Sequence, residues 1–146
     1  MRNDPEIGIP CPAEALGDRP LVLVVEDHAL HGRLLRQALK RSLPACEVEQ
    51  FADGSSAARR LRDPSRPVPA LLVLDLDVPG RSGHELLTDR ARDQRLAAVP
   101  AVIVTSSRAA GDRERSLALG ASLHLEKPTD ADGFLLLADR LAALLG

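Results

Sequence analysis

The stretch LLVLDLDVPG, residues 71–80, decides the fold of this chain. It begins with four apolar residues, carries an aspartate directly after them at Asp75, and ends in the turn sequence Pro79-Gly80. A short apolar run without alternating polar residues is typical of a parallel strand that is covered on both faces. The pattern therefore predicts that Asp75 lies where a buried central strand gives way to a loop.

Two further apolar runs have the same character, Leu21–Val25 and residues 101–104, and weaker strand signals occur at residues 46–51 and 122–125. Between the strands lie segments in which apolar residues recur at helical spacing. These segments begin near Ala29 and cover residues 55–62, 82–93, 111–119 and 131–145. The alternation predicts five βα units and an α/β fold with a doubly wound parallel five-stranded sheet.

Two helix ends carry specific signals. Ser82 is a predicted N-cap, and Glu85 three residues later completes the capping-box pattern. Gly120 follows the fourth helix at the place where a residue in the left-handed conformation ends many helices.

Length and composition fit one domain. With 146 residues, 45% hydrophobic and 27% charged, the chain can bury a substantial core, whereas two domains would each be marginal. Residues 1–19 contain several prolines and glycines without periodicity, so we predict a flexible N-terminal tail there and a single domain at residues 20–146.

Several classes of function are disfavoured. Phe51 and Phe134 are the only aromatic residues and the net charge is −2, so direct nucleic-acid binding is not expected. No apolar run approaches the length of a membrane span and the N-terminus shows no signal-peptide pattern, which predicts a cytoplasmic protein without membrane contact. Cys11 and Cys46 lack the spacing of metal ligands and are predicted to be reduced thiols.

The residues with reactive chemistry stand at the ends of the predicted strands: Glu26, Asp27, Asp75, Thr105 and Lys127. Parallel strands bring their carboxyl ends to one edge of the sheet, where open α/β sheets bind ligands. Three crowded carboxylates repel one another unless a hard divalent cation such as Mg2+ lies between them. Lys127 and Thr105 would then bind phosphoryl oxygens, and Asp75 would act as the nucleophile that forms an acyl phosphate.

Less specific roles are open for some of these residues. Asp27 alone could cap the helix that begins near Ala29. The histidines His28, His31 and His84 have no metal-binding arrangement with one another and are predicted to be surface residues.

The chain resembles the receiver domains of two-component response regulators over about residues 20–145. Four motifs in register carry the resemblance: VVEDH at 24–28, LVLDLDVPGRSG at 72–83, VIVTSS at 102–107 and LGASLHLEKP at 119–128. Each motif alone is common, but the four in this order are highly specific. The resemblance implies a flavodoxin-like (βα)5 fold with the sheet order 2-1-3-4-5.

The resemblance also implies roles for the site residues. Asp75 would be the phosphoacceptor, receiving the phosphoryl group from the phosphohistidine of a sensor histidine kinase or a phosphotransfer protein. Mg2+ would be held by Asp27, Asp75 and the main-chain carbonyl of Asp77, with Glu26 reaching the ion through water. Such a protein is a signalling module rather than a turnover enzyme, although it catalyses its own phosphorylation and dephosphorylation.

A conformational switch is part of what the resemblance implies. Thr105 would move toward the phosphoryl group, and an aromatic residue of the last strand would fill the space left behind. This chain departs from that pattern, because His124 stands where tyrosine or phenylalanine is usual, and an imidazole there could add pH sensitivity. In such domains the peptide bond between Lys127 and Pro128 is typically cis.

The last helix carries more apolar residues than one buried face needs. They are Phe134, Leu135, Leu136, Leu137, Leu141, Leu144 and Leu145. We expect the surplus to contact a downstream protein or to form a homodimer, since no output domain is expected after this helix. Details of the loops resemble the stand-alone regulators that are paired with phytochrome-type sensor kinases.

Two alternatives belong to other classes of protein. The order of Asp75, Asp77, Thr105 and Lys127 is also similar to that of haloacid-dehalogenase-type phosphatases. In those enzymes the acidic metal-binding pair is expected after the lysine, whereas here it comes first, and a cap is expected too. The other alternative is a receiver-like binding module that works without phosphorylation, which the intact set of acidic, threonine and lysine residues disfavours.

Overall fold

The structure is a computed structural model and describes residues 19–145. Five strands alternate with five helices. Their bounds are β1 Leu21–Val25, α1 Ala29–Ser42, β2 Glu47–Phe51, α2 Gly54–Arg62, β3 Leu71–Leu74, α3 Gly83–Arg92, β4 Ala101–Thr105, α4 Asp112–Ala118, β5 Leu123–Glu126 and α5 Ala131–Leu145. The predicted tail at residues 1–19 lies outside the described residues except for Arg19, and Cys11 lies outside them as well.

The strands form one parallel sheet in the order β2-β1-β3-β4-β5. The predicted doubly wound (βα)5 fold and its strand order are therefore confirmed. All four pairings are parallel, so every strand ends at the same edge of the sheet. Within that sheet, Leu23 pairs with Glu49 of β2 on one side and with Leu72 of β3 on the other.

The core lies on both faces of the sheet. Leu23 and Val25 of β1 belong to a cluster on the face covered by α2 and α3, and Val22 and Val24 belong to a second cluster under α1 and α5. Adjacent strand residues point to opposite faces, and both faces are buried here, which explains why the central strands are apolar throughout. A fully buried side chain of this kind stabilises the fold by about 1.5–3 kcal/mol.

The predicted helix ends are confirmed at α3 and α4. The Ser82 hydroxyl accepts a hydrogen bond from the Glu85 amide at 3.2 Å, and the Glu85 carboxylate accepts one from the Ser82 amide at 2.9 Å. Gly120 has a φ of 106°, which a residue with a side chain would adopt only under strain. These two devices fix where α3 begins and where the chain turns toward β5.

The last helix buries most of its apolar residues. Phe134, Leu137 and Leu141 are buried against the sheet and α1, whereas Leu136 is 68% exposed. The predicted surplus is therefore centred on one strongly exposed side chain, because the half-buried leucines Leu135, Leu144 and Leu145 pack against the core.

The structure tests two further predictions from the sequence, one on the isomer of a peptide bond and one on membrane-spanning helices. The backbone of residues 19–145 contains no cis peptide bond, so the expectation of a cis bond between Lys127 and Pro128 is wrong for this structure. A trans bond before proline is the more stable isomer by about 0.5–1 kcal/mol when tertiary contacts do not oppose it. Among the described residues, no helix is both long and apolar enough to cross a bilayer.

Candidate functional site

The candidate site lies at the carboxyl edge of the sheet. Glu26 follows β1 and Asp75 follows β3, while Thr105 ends β4 and Lys127 follows β5. Main-chain hydrogen bonds continue past the strand ends and hold these residues in place: the Asp75 amide donates to the Val25 carbonyl at 3.1 Å, and the Lys127 amide donates to the Thr105 carbonyl at 2.9 Å. These backbone hydrogen bonds therefore hold the ends of neighbouring strands side by side, independently of the side-chain contacts.

Lys127 lies between two buried carboxylates. Its ammonium Nζ is 2.7 Å from Asp75 Oδ2 and 2.8 Å from Glu26 Oε1, and each of the three side chains is about one-twentieth exposed. Burial alone would lower the pKa of Lys127, but its hydrogen bonds to Asp75 and Glu26 outweigh that effect and raise the pKa above its ordinary value. The ammonium therefore stays charged and holds the two carboxylates beside each other.

The third carboxylate of the site belongs to Asp27. Carboxylate oxygens of Glu26, Asp27 and Asp75 all lie within 4.8 Å of one another, with Asp27 exposed to solvent. Asp27 does not cap α1, since His28 is the N-cap residue and its ring accepts from the His31 amide. The capping role that the sequence allowed for Asp27 is thus wrong, and its carboxylate is available to the cluster.

Three carboxylates against one ammonium leave the site with excess negative charge. All donors in the cluster are oxygens, and one edge is open to water through Asp27. This set fits Mg2+, which prefers oxygen ligands and keeps several waters. Asp77, whose carbonyl was also predicted as a ligand, lies next to the cluster, since its amide donates to Asp75 Oδ1 at 3.1 Å.

Thr105 is fully buried and its hydroxyl is engaged within its own loop. Thr105 Oγ1 accepts a hydrogen bond from the Ser107 amide at 3.1 Å. The Ser107 hydroxyl in turn donates to the Asp112 carboxylate at 2.6 Å, which ties the loop after β4 to the start of α4. A change in the hydrogen-bond partner of the Thr105 hydroxyl would therefore affect the position of the beginning of α4.

A glycine allows α3 to approach the site closely. A Cβ atom on Gly83 would lie 2.6 Å from the Asp75 carbonyl oxygen, closer than any side chain allows. Only glycine therefore lets α3 start directly against the end of β3. This approach shapes the loop that carries Asp77.

His124, the predicted switch residue, is half-buried and does not contact the carboxylates. Its Nδ1 is 2.9 Å from the Ser116 hydroxyl oxygen, and His84 Nε2 is 2.8 Å from the same atom. His84 is only 7% exposed, so its predicted surface location is wrong. A signal was present in the sequence, because His84 lies three residues before the buried Leu87 and shares its helix face. No comparable pattern in the sequence indicated that Ser116 is buried or that it contacts these histidines.

Two other histidines lie beside the site. The rings of His28 and His31 stack with centroids 3.7 Å apart. Burial, followed by the nearby charge of Lys127, lowers the pKa of His31, so its ring stays neutral over most of the physiological range. The predicted surface location holds for the exposed His28, whereas His31 is half-buried.

Comparison with known proteins agrees with this geometry. The family model described as response regulator receiver domain matches residues 22–138. A probable methanogenesis regulatory protein of Methanothrix harundinacea, FilR2, is 33% identical over 111 residues, which cover 74% of this chain and 72% of FilR2. The response regulator Rcp1 of Synechocystis is 31% identical over 111 residues, which cover 73% of this chain and 76% of Rcp1.

Solved structures show the same fold. The crystal structure of the Mn2+-bound form of Rcp1 has a TM-score of 0.77 at 26% identity, covering 85% of this chain and 92% of that one. The phosphorylated cyanobacterial phytochrome response regulator RcpA has a TM-score of 0.78 at 24% identity, covering 87% and 94%. The family model spans most of the chain and both solved structures share its fold over at least 85% of its length, so this chain belongs to the response regulator receiver domain family.

Proposed function

We propose that the protein is a stand-alone response regulator that accepts a phosphoryl group on Asp75 with Mg2+ and signals by protein contact. The observation that carries the proposal is the meeting of Asp75 with two further carboxylates and one ammonium at the carboxyl edge of the sheet. The phosphoryl donor would be the phosphohistidine of a sensor histidine kinase or a phosphotransfer protein. The family is one of signalling modules, which agrees with a protein that is not a turnover enzyme.

Asp75 suits the role of nucleophile. One of its carboxylate oxygens would attack phosphorus, forming an O–P bond as the N–P bond of the phosphohistidine breaks, and the bonding electrons return to the departing imidazole nitrogen. Two hydrogen bonds, from Lys127 and from the Asp77 amide, already fix the orientation of the carboxylate. A carboxylate that is oriented before the donor arrives spends no free energy on ordering during the reaction.

Lys127 and Thr105 would stabilise the product. The Lys127 ammonium now binds an Asp75 oxygen at 2.7 Å, so it stands within reach of an oxygen of a phosphoryl group attached there. The Thr105 hydroxyl would move toward the phosphoryl group, give up the hydrogen bond that it accepts from the Ser107 amide, and donate its own proton to a phosphoryl oxygen. That exchange would loosen the loop whose Ser107 hydroxyl holds Asp112 at the start of α4.

Mg2+ would be held by Asp27 and Asp75 directly, by the main-chain carbonyl of Asp77, and by Glu26 through water. When bound, the ion would neutralise the charge of the carboxylates and of the phosphoryl oxygens. The related regulator Rcp1 has been crystallised in a Mn2+-bound form, which supports a role for a divalent cation in this chain too.

The protein would transmit its signal through a surface that contacts another protein. The exposed Leu136 borders a groove that Leu125, Pro128 and Arg140 also line, and this face would contact a downstream protein or form a homodimer. Similarity to Rcp1 and to RcpA, named as a phytochrome response regulator, supports a place among the stand-alone regulators paired with phytochrome-type sensor kinases. A cytoplasmic location belongs to the same proposal.

Acetyl phosphate and Mg2+ provide a direct test. The protein should gain one phosphoryl group per chain, stable in acid and labile in alkali, and EDTA should prevent the reaction. Asp75→Asn should abolish it, while Asp132→Asn, which alters an exposed aspartate of α5, should not.

The other outcomes separate the alternatives. Sustained release of inorganic phosphate by many turnovers without accumulation of one phosphoryl group per chain would indicate the phosphatase, and the absence of both labelling and release would indicate a binding module. Labelling that persists in Asp75→Asn at the rate of the unaltered protein would contradict the assignment of Asp75.

A further inference from the structure

Two histidines from different elements share one buried hydroxyl. His84 is in the first turn of α3, Ser116 is in α4, and His124 is in β5. The Ser116 oxygen lies 2.8 Å from His84 Nε2 and 2.9 Å from His124 Nδ1, and Ser116 is fully buried. We call these three residues the imidazole network. It is the place where α3, α4 and the switch position on β5 are joined by polar contacts.

The hydrogen-bonding capacity of one serine hydroxyl and two imidazole rings limits how many protons the imidazole network can hold. A serine hydroxyl has one proton to donate, and a neutral imidazole has one protonated and one unprotonated nitrogen. With both rings neutral, one ring can donate to the Ser116 oxygen while the hydroxyl donates to the other ring, and every group is satisfied. If the accepting ring takes up a proton, both rings can still donate to the Ser116 oxygen, which has two lone pairs, but the hydroxyl proton loses its acceptor within the network and a positive charge is placed beside the second ring.

The charged groups around the imidazole network are of both signs. Charged groups of α4 that face the rings are Asp112, Arg113, Glu114 and Arg115; Arg108 of the preceding loop and Glu126 of β5 line a cavity beside His124. The anions among them are partly occupied, since Asp112 binds the Ser107 hydroxyl and Glu126 pairs with Arg108. From β4, the neighbour of His124 is Ile103, which carries no charge.

Burial, more than any single charge, lowers the pKa of both rings. For His84 the next cause is Arg115, opposed by Asp112, and for His124 it is Arg113, with His84 adding to the effect. Both rings are therefore neutral at neutral pH, as the proton count of the imidazole network requires.

We propose that His84 and Ser116 are positioning residues for His124, which hold its imidazole neutral against α4 and hold it less firmly when the imidazole network takes up a proton. His124 carries its own tie to α4 as well, since Arg113 donates to its carbonyl at 2.9 Å. Protonation would thus weaken the hydrogen bonding of the His124 side chain, while the bond from Arg113 keeps its backbone in place. A role of the imidazole network in signalling rests on the proposed function, in which His124 is the switch residue. The hydrogen bonds of the imidazole network themselves do not require a phosphoryl group.

A pH dependence of stability follows from this arrangement. The pKa of each ring is lower in the folded protein than the ordinary value of 6.5, so the unfolded chain binds protons first as the pH falls. The stability associated with the neutral rings is complete above about pH 7 and is lost as the pH falls through 6.5 toward the lower folded values.

Nitrogen NMR of the imidazole rings tests the proposal on the unphosphorylated protein, so the result does not depend on whether Asp75 accepts a phosphoryl group. At about pH 7.5, where both rings are neutral, one of the two nitrogens that face Ser116 should be protonated and the other should not. His84→Gln keeps a hydrogen-bonding group near Nε2 but cannot become charged, and it should raise the pKa of His124. Ser116→Ala should remove the complementary pattern, whereas the exposed-serine control Ser122→Ala should leave it intact.

A double variant that keeps hydrogen-bonding groups but does not titrate separates a positioning role of these residues from a packing role. In the double variant His84→Gln with His124→Asn, hydrogen-bonding groups remain but neither side chain titrates near neutral pH. The urea midpoint should then fall less between about pH 7 and about pH 5 than it does in the unaltered protein. Two facing nitrogens in the same protonation state, or a pKa of His124 that His84→Gln leaves unchanged, would overturn the proposal. The wild-type spectrum decides the first point even if Ser116→Ala fails to fold.

Discussion

Replacement of Lys127 by methionine should lower the free energy of unfolding by about 3–5 kcal/mol at neutral pH, in the absence of divalent cations. The side chain makes two charge-assisted hydrogen bonds, at 2.7 Å to Asp75 and at 2.8 Å to Glu26, and all three partners are nearly inaccessible to water. Each such bond contributes about 1.5–3 kcal/mol. Methionine keeps the volume but leaves two adjacent buried carboxylates without a counter-charge.

Urea unfolding in EDTA measures this effect. For a domain of this size the urea dependence is about 1–3 kcal/mol per molar, so the midpoint should fall by about 1 M or more. The raised pKa of Lys127 means that its contribution is complete below its ordinary value of 10.5 and is lost only as the pH rises through the folded value. A measurement at neutral pH therefore captures all of it.

The chain offers a matched control, because Lys40 is its other lysine and is exposed on α1. Lys40→Met should change the free energy of unfolding by no more than about 0.5 kcal/mol. Adding Asp75→Asn to Lys127→Met should recover part of the loss, since one unpaired carboxylate is then removed. The reasoning is refuted if Lys127→Met costs no more than Lys40→Met, or if the double variant is less stable than Lys127→Met alone.

Three further predictions concern the metal, the core and a helix end. Mg2+ at 100 times its dissociation constant should stabilise the protein by about 2.7 kcal/mol, and thermal melts of Asp27→Asn should show a much smaller gain; equal gains would argue against this ligand. Leu141→Ala, at a fully buried position of α5, should cost about 2–5 kcal/mol in urea unfolding, whereas Leu136→Ala should stay within about 0.5 kcal/mol, and similar costs would contradict the burial of the helix. Ser82→Ala should cost about 1 kcal/mol through loss of the capping box, measured against Ser122→Ala, whose loss should be negligible; no difference between the two would mean that the cap contributes nothing.

Much of the fold could be predicted because the signals are local. The run before Asp75 is apolar on every residue and too short for a buried helix, which indicates a strand covered on both faces, and the capping box joins Ser82 to Glu85 only three residues later. The order of the strands came from the resemblance rather than from any local signal. The boundaries of α2, α3 and α4 differ from the predictions by one residue at one or both ends, as helix ends commonly do.

The parts that could not be predicted depend on which elements pack together. Asp27 and His28 are both plausible caps by residue type, and only the backbone conformation at the start of α1 selected His28. The contact between His84 and Ser116 joins α3 to α4, thirty-two positions later in the chain. Pairs this far apart in sequence leave no periodic pattern, so no local rule could find them.

The sequence by itself determined the alternation of strands and helices and the placement of reactive residues at strand ends, because side-chain polarity and spacing are properties of short segments. Only the tertiary structure decided that Lys127 pairs with both Glu26 and Asp75, and that His124 binds Ser116. Those contacts join residues from separate strands and helices. Their energies depend on distances and burial that exist only once the sheet has formed and its helices have packed against it.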